Sequence, residues 1–420
     1  MGSFNNTGIS GLWIGGKSVR RASLGGKVFF EKHDYDLSLT SDKSILSHAD
    51  NESATLTATL TDYNEPVSGE TVIFTADTPF KTNVINDTGT YDFGDYISVD
   101  ISNFKNIDAM YNLSQGQLVI GNSNAYLRLW GLSGSNVPHN FIWLEHYVNG
   151  SRIDNALIVV THPLIFRNGI LYCYRSVDNS HDNLQDSTLD VSDVDLTEWA
   201  FSGKVIGVDV TVDEYWWASD VTDSNGEATV GYVSKGAGDL NIKVECMNLQ
   251  ETCSIQDYLF VPTLDSNRQF YQMAGTTTIS NNEMSGGSAK LLPAFDNSGN
   301  WELTFKVKFS GNNCCALLIP PTETTRDTNE LLVTAYKNAI SWYNNGTITQ
   351  NLQGHHLSAN TYYNVTITKN GSSISVSIGN NSKTTTAWNS VSASNLQIGV
   401  GGWGSSGKVC TIKEIVVKPL

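Results

Sequence analysis

Aromatic residues set beside amides are the most reactive-looking feature of the sequence, and the chemistry they suit is ligand binding. Trp342-Tyr343-Asn344-Asn345 ends a strand-like run in a turn, and Gly401-Gly402-Trp403-Gly404 places a tryptophan in a glycine-rich turn. Trp143, His146 and Tyr147 precede the Asn149-Gly150 turn. An aromatic face stacks on the C–H surface of a sugar ring, while nearby amides and carboxylates bond its hydroxyls. Trp342, Tyr343, Asn344, Trp403, Trp143 and Tyr147 are therefore the candidate glycan-binding residues. A core role fits Trp342, Trp143 and Tyr147 equally well, because an alternating strand buries every second side chain.

Acid–base and nucleophilic chemistry finds less support. Glycoside hydrolysis needs two carboxylates about 5 to 9.5 Å apart. Glu302 and Glu414 stand isolated on their predicted strands, and Asp193 with Asp195 have a suitable spacing but lie in a polar run. No Gly-x-Ser-x-Gly elbow or His-Glu-x-x-His pair occurs. His355-His356 has no carboxylate or cysteine close in sequence, which favours surface histidines over a metal pair. The acidic run Asp178, Asp182, Asp186, Asp190, Asp193 and Asp195 offers the hard oxygen ligands that Ca2+ prefers. It lacks the EF-hand order with its glycine, so a solvated loop is the preferred reading and Ca2+ the one cofactor the run admits. Cys173, Cys246, Cys253, Cys314, Cys315 and Cys410 show no zinc spacing and read as small buried hydrophobes. Cys246 and Cys253 are the pair for any disulfide, and alternation sends Cys314 and Cys315 to opposite strand faces. The expectation is a chain without enzymatic activity and without a required cofactor.

Predicted strands carry most of these groups. One alternating stretch runs from Leu37 to Ala76, and a second covers Asp220 to Val230 and Ala237 to Val244. Neither can cover its own apolar face, so together they predict one β-sandwich split by a large insertion. The insertion, about residues 77–212, carries aromatic strand-like runs such as Ala125 to Trp130, Asn140 to Val148, Asn155 to Val160 and Gly169 to Tyr174. The turns Asn149-Gly150 and Asn168-Gly169 separate them. Leu189 to Trp199 suits a short helix capping this insert. Residues 258–420 alternate from Trp301 to Phe309, Tyr362 to Lys369 and Thr411 to Val417, the pattern of a jelly-roll sandwich. Residues 1–35 hold an internal echo, Trp13 to Val19 and Leu24 to Phe30, that predicts a small β meander. The domain expectation is thus 1–35, a split unit of 36–76 with 213–257, the insert 77–212, and 258–420. The fold class is all-β and modular.

Bulk composition narrows the partners. Only 16% of residues are charged and the formal net charge is −16. Such a chain cannot neutralise a phosphate track and disfavours an anionic membrane, leaving uncharged polar ligands, glycans above all. No run approaches the roughly 18 to 20 apolar residues that cross a bilayer. Met1 to Asn6 shows neither a basic nor an apolar segment of a secretory signal, so synthesis in a cytoplasm is expected.

Certain residues also resemble known families. Leu39-Thr40-Ser41-Asp42, Ala54 to Ala58, Pro66-Val67-Ser68-Gly69-Glu70-Thr71-Val72 and Asp223-Ser224-Asn225-Gly226-Glu227-Ala228-Thr229 resemble the invasin-type bacterial Ig-like domain. The strand pattern of the C-terminal region is similar to concanavalin/laminin-G-like lectin domains. The whole arrangement, closing on Lys418-Pro419-Leu420, resembles adhesin-type tail proteins of viruses of gut methanogenic archaea or bacteria. The resemblance implies a virion tail adhesin, a receptor-binding protein of the tail fibre or tip, that attaches to host cell-surface glycans as a homotrimer. It implies other tail or baseplate proteins as partners of residues 1–35. A glycan-cleaving tail enzyme and a structural capsid or tail decoration protein are the rival readings. The insert departs from the simpler family pattern, so either it or the C-terminal unit is left to contact the receptor.

Overall fold

The computed structural model describes residues 33–85, 89–91, 96–102, 104, 117–131, 141–176, 184–202, 210–311, 314–325, 329–334, 339–352, 357–379, 381–402 and 408–420. It adds the backbone of short strands between residues 12 and 31. Strands dominate throughout, with a 3-10 turn at Asn389–Ser392. The all-β, modular architecture expected from alternation is the one the chain adopts.

Strands from two distant stretches share one sandwich. The first sheet orders Trp217–Val221, Thr71–Ala76, Gly238–Cys246, Leu249–Tyr258 and Ile45–Ser47 side by side; the second orders Glu227–Val233, Ser53–Asp62 and Tyr35–Ser41. Alternation supplies the inner faces: Leu56, Ala58 and Leu60 of one sheet meet Val72, Phe74, Ile242 and Val244 of the other in a single core. The turn at Asp223 is fastened by its own carboxylate, which accepts the backbone N–H of Asn225 at 2.7 Å and of Glu227 at 3.0 Å. Within the Gly238–Cys246 and Leu249–Tyr258 hairpin, Cys253 pairs with Ile242, four positions along the strand from Cys246. That offset is roughly 13 Å, far beyond disulfide reach, and both thiols are free.

Between these stretches the chain builds a 12-stranded sheet. Seven successive strands matter below: β1 (Gln117–Gly121), β2 (Ala125–Trp130), β3 (Phe141–Val148), β4 (Ser151–Val159), β5 (Leu164–Arg167), β6 (Ile170–Ser176) and β7 (Leu184–Asp190). Their order across the sheet is β5-β6-β4-β3-β2-β1, with β7 added to β6. Residues from both ends of the strand order, Val99 and Val212 at one and Ile120 and Trp199 at the other, fall into one core, so the sheet curls around it. Asn149 (φ 48°) with Gly150 (φ 76°), and Asn168 (φ 53°) with Gly169 (φ 72°), make the tight β3–β4 and β5–β6 turns that fix register. Leu189 to Trp199 is not helical. Asp190 and Asp195 instead accept the N–H and hydroxyl of Ser192 and Thr197, local bonds that compete with a helical turn.

The C-terminal stretch forms a 13-stranded sheet around a core containing Trp301, Trp342 and Trp388. Cys314 joins this core, and Cys315 joins a small cluster on the opposite strand face. The split sandwich is tied to it by Arg268, whose guanidinium grips Asp50 at 2.6 and 3.0 Å, and by the Val261 N–H, which donates to the Ser47 hydroxyl at 3.1 Å.

Candidate functional site

Trp342 cannot stack on a ligand: it is fully buried, with Ile340 on the same strand face and in the same core. Tyr343 is half-buried against the cluster of Cys315, Leu317 and Leu332, and the Asn344 amide donates to the Ala387 carbonyl. Trp342 thus serves the core of the C-terminal unit, while Tyr343 and Asn344 are half-buried at its edge. Trp403 and His355-His356 lie outside the described residues.

Trp143 and Tyr147 have a different setting. Strict alternation on β2 and β3 points Leu127, Leu129, Ile142 and Leu144 into the core. The opposite, outer face receives Tyr126, Arg128 and Trp130 from β2 and Trp143, Glu145 and Tyr147 from β3. Register pairs them directly: Tyr126 with Tyr147, Arg128 with Glu145, Trp130 with Trp143. The Tyr126 and Tyr147 rings stack at 4.8 Å, and the Arg128 guanidinium lies 5.0 Å from the Tyr147 ring and 5.8 Å from that of Trp130.

At the centre sits Glu145, a carboxylate only 3% exposed. Its Oε2 accepts Arg128 Nε at 2.8 Å, Trp130 Nε1 at 2.9 Å, and also Arg128 Nη2; its Oε1 accepts Arg152 Nη1 of β4 at 2.8 Å. Arg128 Nη2 also donates to the Tyr147 hydroxyl at 2.8 Å. Burial pushes the Glu145 carboxyl up, but the hydrogen bonds from Arg152, Arg128 and Trp130 outweigh it and hold the group below its ordinary value. Glu145 is therefore a fixed anion that orients two arginines rather than a proton donor. His146 points to the other side of β3, where its Nε2 lies 3.1 Å from Asp193.

The same outer face continues across the sheet. Trp143 and Tyr174 of β6 both pack on Phe141, Leu157 and Val159. Beyond Tyr174 opens a groove of about 410 Å³ lined by His162, Pro163, Ile165, Tyr172, Cys173, Tyr174, Asp186, Ser187 and Thr188. His162 stacks on Tyr174 at 4.6 Å, and the β6–β7 register sets Tyr174 against Asp186 and Tyr172 against Thr188. Apolar ring faces thus stand beside hydroxyls and a carboxylate, the mixture that binds a polyhydroxylated ring. Burial pushes the Cys173 thiol up to about 11, so it is no thiolate nucleophile at neutral pH. Among the described residues no group of three or more His, Cys, Asp or Glu is arranged to hold a metal ion. Asp190 and Asp195 of the acidic run are engaged in capping their own turns.

Sequence reasoning selected Trp143 and Tyr147 but missed Arg128, Glu145, Arg152, His162, Tyr172 and Tyr174. One signal was available: Tyr126-x-Arg128-x-Trp130 and Trp143-x-Glu145-x-Tyr147 each place a charge between two aromatics on one strand face.

No protein-family model and no curated protein matches the chain. Among solved structures, laminin-G-type domains are neighbours: mouse laminin alpha1 domains LG4-5 match at 11% identity and TM-score 0.25, over 84% of this chain and 83% of that one. Trypanosoma rangeli sialidase in complex with sialic acid matches at 10% identity and TM-score 0.26, over 94% and 85%. A Parabacteroides distasonis protein described as a glycosyl hydrolase matches at 11% identity and TM-score 0.26, over 34% and 90%. These neighbours correct the expectation of a chain without enzymatic activity: they include enzymes, so that expectation is withdrawn. Likeness at these scores assigns no activity either.

Proposed function

We propose that the chain binds saccharides through the outer face of the inserted sheet and serves as a receptor-binding adhesin of a virion tail. The observation that carries the binding step is the groove of about 410 Å³ in which Tyr172, Tyr174 and His162 stand beside Asp186, Ser187 and Thr188. Such a site takes a ring with one apolar face and several hydroxyls. The adhesin role is drawn from the resemblance of the whole arrangement, closing on Lys418-Pro419-Leu420, to adhesin-type tail proteins, and the Ig-like module from Pro66-Val67-Ser68-Gly69 and Asp223-Ser224-Asn225-Gly226. In this reading the split sandwich is an Ig-like stalk, residues 1–35 join other tail proteins, and the assembly is a homotrimer. The host would be a gut methanogenic archaeon or bacterium.

The experiment is binding of the full chain to intact candidate host cells, with purified envelope glycan as competitor. Saturable binding that the glycan displaces supports the reading. Absence of binding by the assembled protein transfers the role to a structural decoration of the particle. Release of new reducing ends from the glycan would make the groove a catalytic one.

A further inference from the structure

We infer that the cluster of Arg128, Glu145 and Arg152, on the same outer face as the groove, binds the carboxylate of an acidic sugar residue. The inference rests on the saccharide reading and names the class of saccharide. Two guanidiniums share one carboxylate here, leaving a local surplus of one positive charge on a chain whose formal net charge is −16. That surplus is accessible: the Arg128 side chain is 31% exposed and that of Arg152 is 51% exposed.

Glu145 engages only part of each arginine. Arg128 Nη1 and Arg152 Nε and Nη2 have no hydrogen-bond partner among the described residues. A planar guanidinium with unused N–H groups matches a carboxylate in geometry as well as charge. The buried anion beneath holds both arginines in place before the ligand arrives, which lowers the ordering cost of binding. Trp130 and Tyr147 flank the cation with flat apolar faces at 5.8 and 5.0 Å, suited to the ring that carries the carboxylate. The remaining negative charge of the chain repels a polyanion far more than one carboxylate on an otherwise neutral ring. Trp143 and Tyr174 share one apolar cluster, so a neighbouring sugar can reach the groove along the same face.

The test is calorimetry of the full chain with an oligosaccharide containing uronic acid and with the same oligosaccharide after carboxyl reduction. The acidic form is expected to bind about 10-fold tighter, with the gap shrinking at high salt. R152Q narrows the preference to about 2-fold, and R152K retains an intermediate preference because it keeps charge without the planar fork. Equal affinity for both forms, or a preference unchanged in R152Q, overturns the inference and leaves saccharide binding standing. Binding of neither form overturns saccharide binding itself. Equal affinity for a short acidic peptide overturns the assignment of the carboxylate to a sugar.

Discussion

Removing Arg128 should expose the logic of the outer face. In Arg128→Met, Glu145 Oε2 loses two of its three donors, while Trp130 and the half-exposed Arg152 remain. Breaking a buried ion pair costs about 3 to 5 kcal/mol, and the surviving bonds place this case near 3 kcal/mol at neutral pH. The pH dependence follows from Glu145. In the native protein its carboxyl titrates below the ordinary 4.5, so its stabilisation is complete above that value and is lost as pH falls through the depressed one. In the variant the carboxyl rises, protonation relieves the stranded charge, and the deficit relative to wild type shrinks to about 1 kcal/mol near pH 4. Because the chain is modular, the assay is hydrogen exchange of peptides covering Ala125–Trp130 and Phe141–Val148 across a urea series. The double variant R128M/E145L, which removes charge and counter-charge together, is expected within about 1 kcal/mol of wild type. A deficit below about 1 kcal/mol at pH 7, or one independent of pH, refutes the reasoning.

Three further outcomes test the packing. Trp342→Ala should destabilise the C-terminal unit by about 4 kcal/mol in calorimetric melting and leave saccharide affinity unchanged below the transition, as a core residue requires. Asp257→Ala strands the Tyr232 hydroxyl, the Ser234 hydroxyl and the N–H groups of Lys235 and Ala237, all of which now bond one buried carboxylate. Urea unfolding should show a loss of at least about 3 kcal/mol in the split sandwich, and a loss under about 1 would contradict this account. Gly399→Ala would set a Cβ against the Ala289 carbonyl oxygen, so strands must part; urea unfolding should show a loss of about 2 to 3 kcal/mol of stability in the C-terminal unit.

Much of the architecture was legible because period-two alternation marks which strand face is buried. Leu56, Ala58 and Leu60 show it in the split sandwich, as do Leu127 and Leu129 in the insert. The same rule placed Trp342 on the face of Ile340, two residues earlier, and could have removed it from the binding candidates. What alternation leaves open is register. The pairing of Arg128 with Glu145 spans 17 residues of chain, and it depends on how β2 and β3 align rather than on either strand alone. The groove depends on register too, since Tyr174 meets Asp186 only through the β6–β7 pairing. The short helix expected from Leu189 failed for a local reason: aspartates followed two residues later by Ser or Thr fold back on their own backbone.

Saccharide recognition by the outer face of the insert stands or falls with Tyr174→Ala. The full chain and this variant would be titrated with glycan purified from the envelope of candidate hosts. Loss of the ring that stacks on His162 and walls the groove should weaken binding about 10-fold at temperatures where calorimetry shows the variant still folded. Wild-type affinity in the variant, or no glycan bound by the intact chain, would contradict the account.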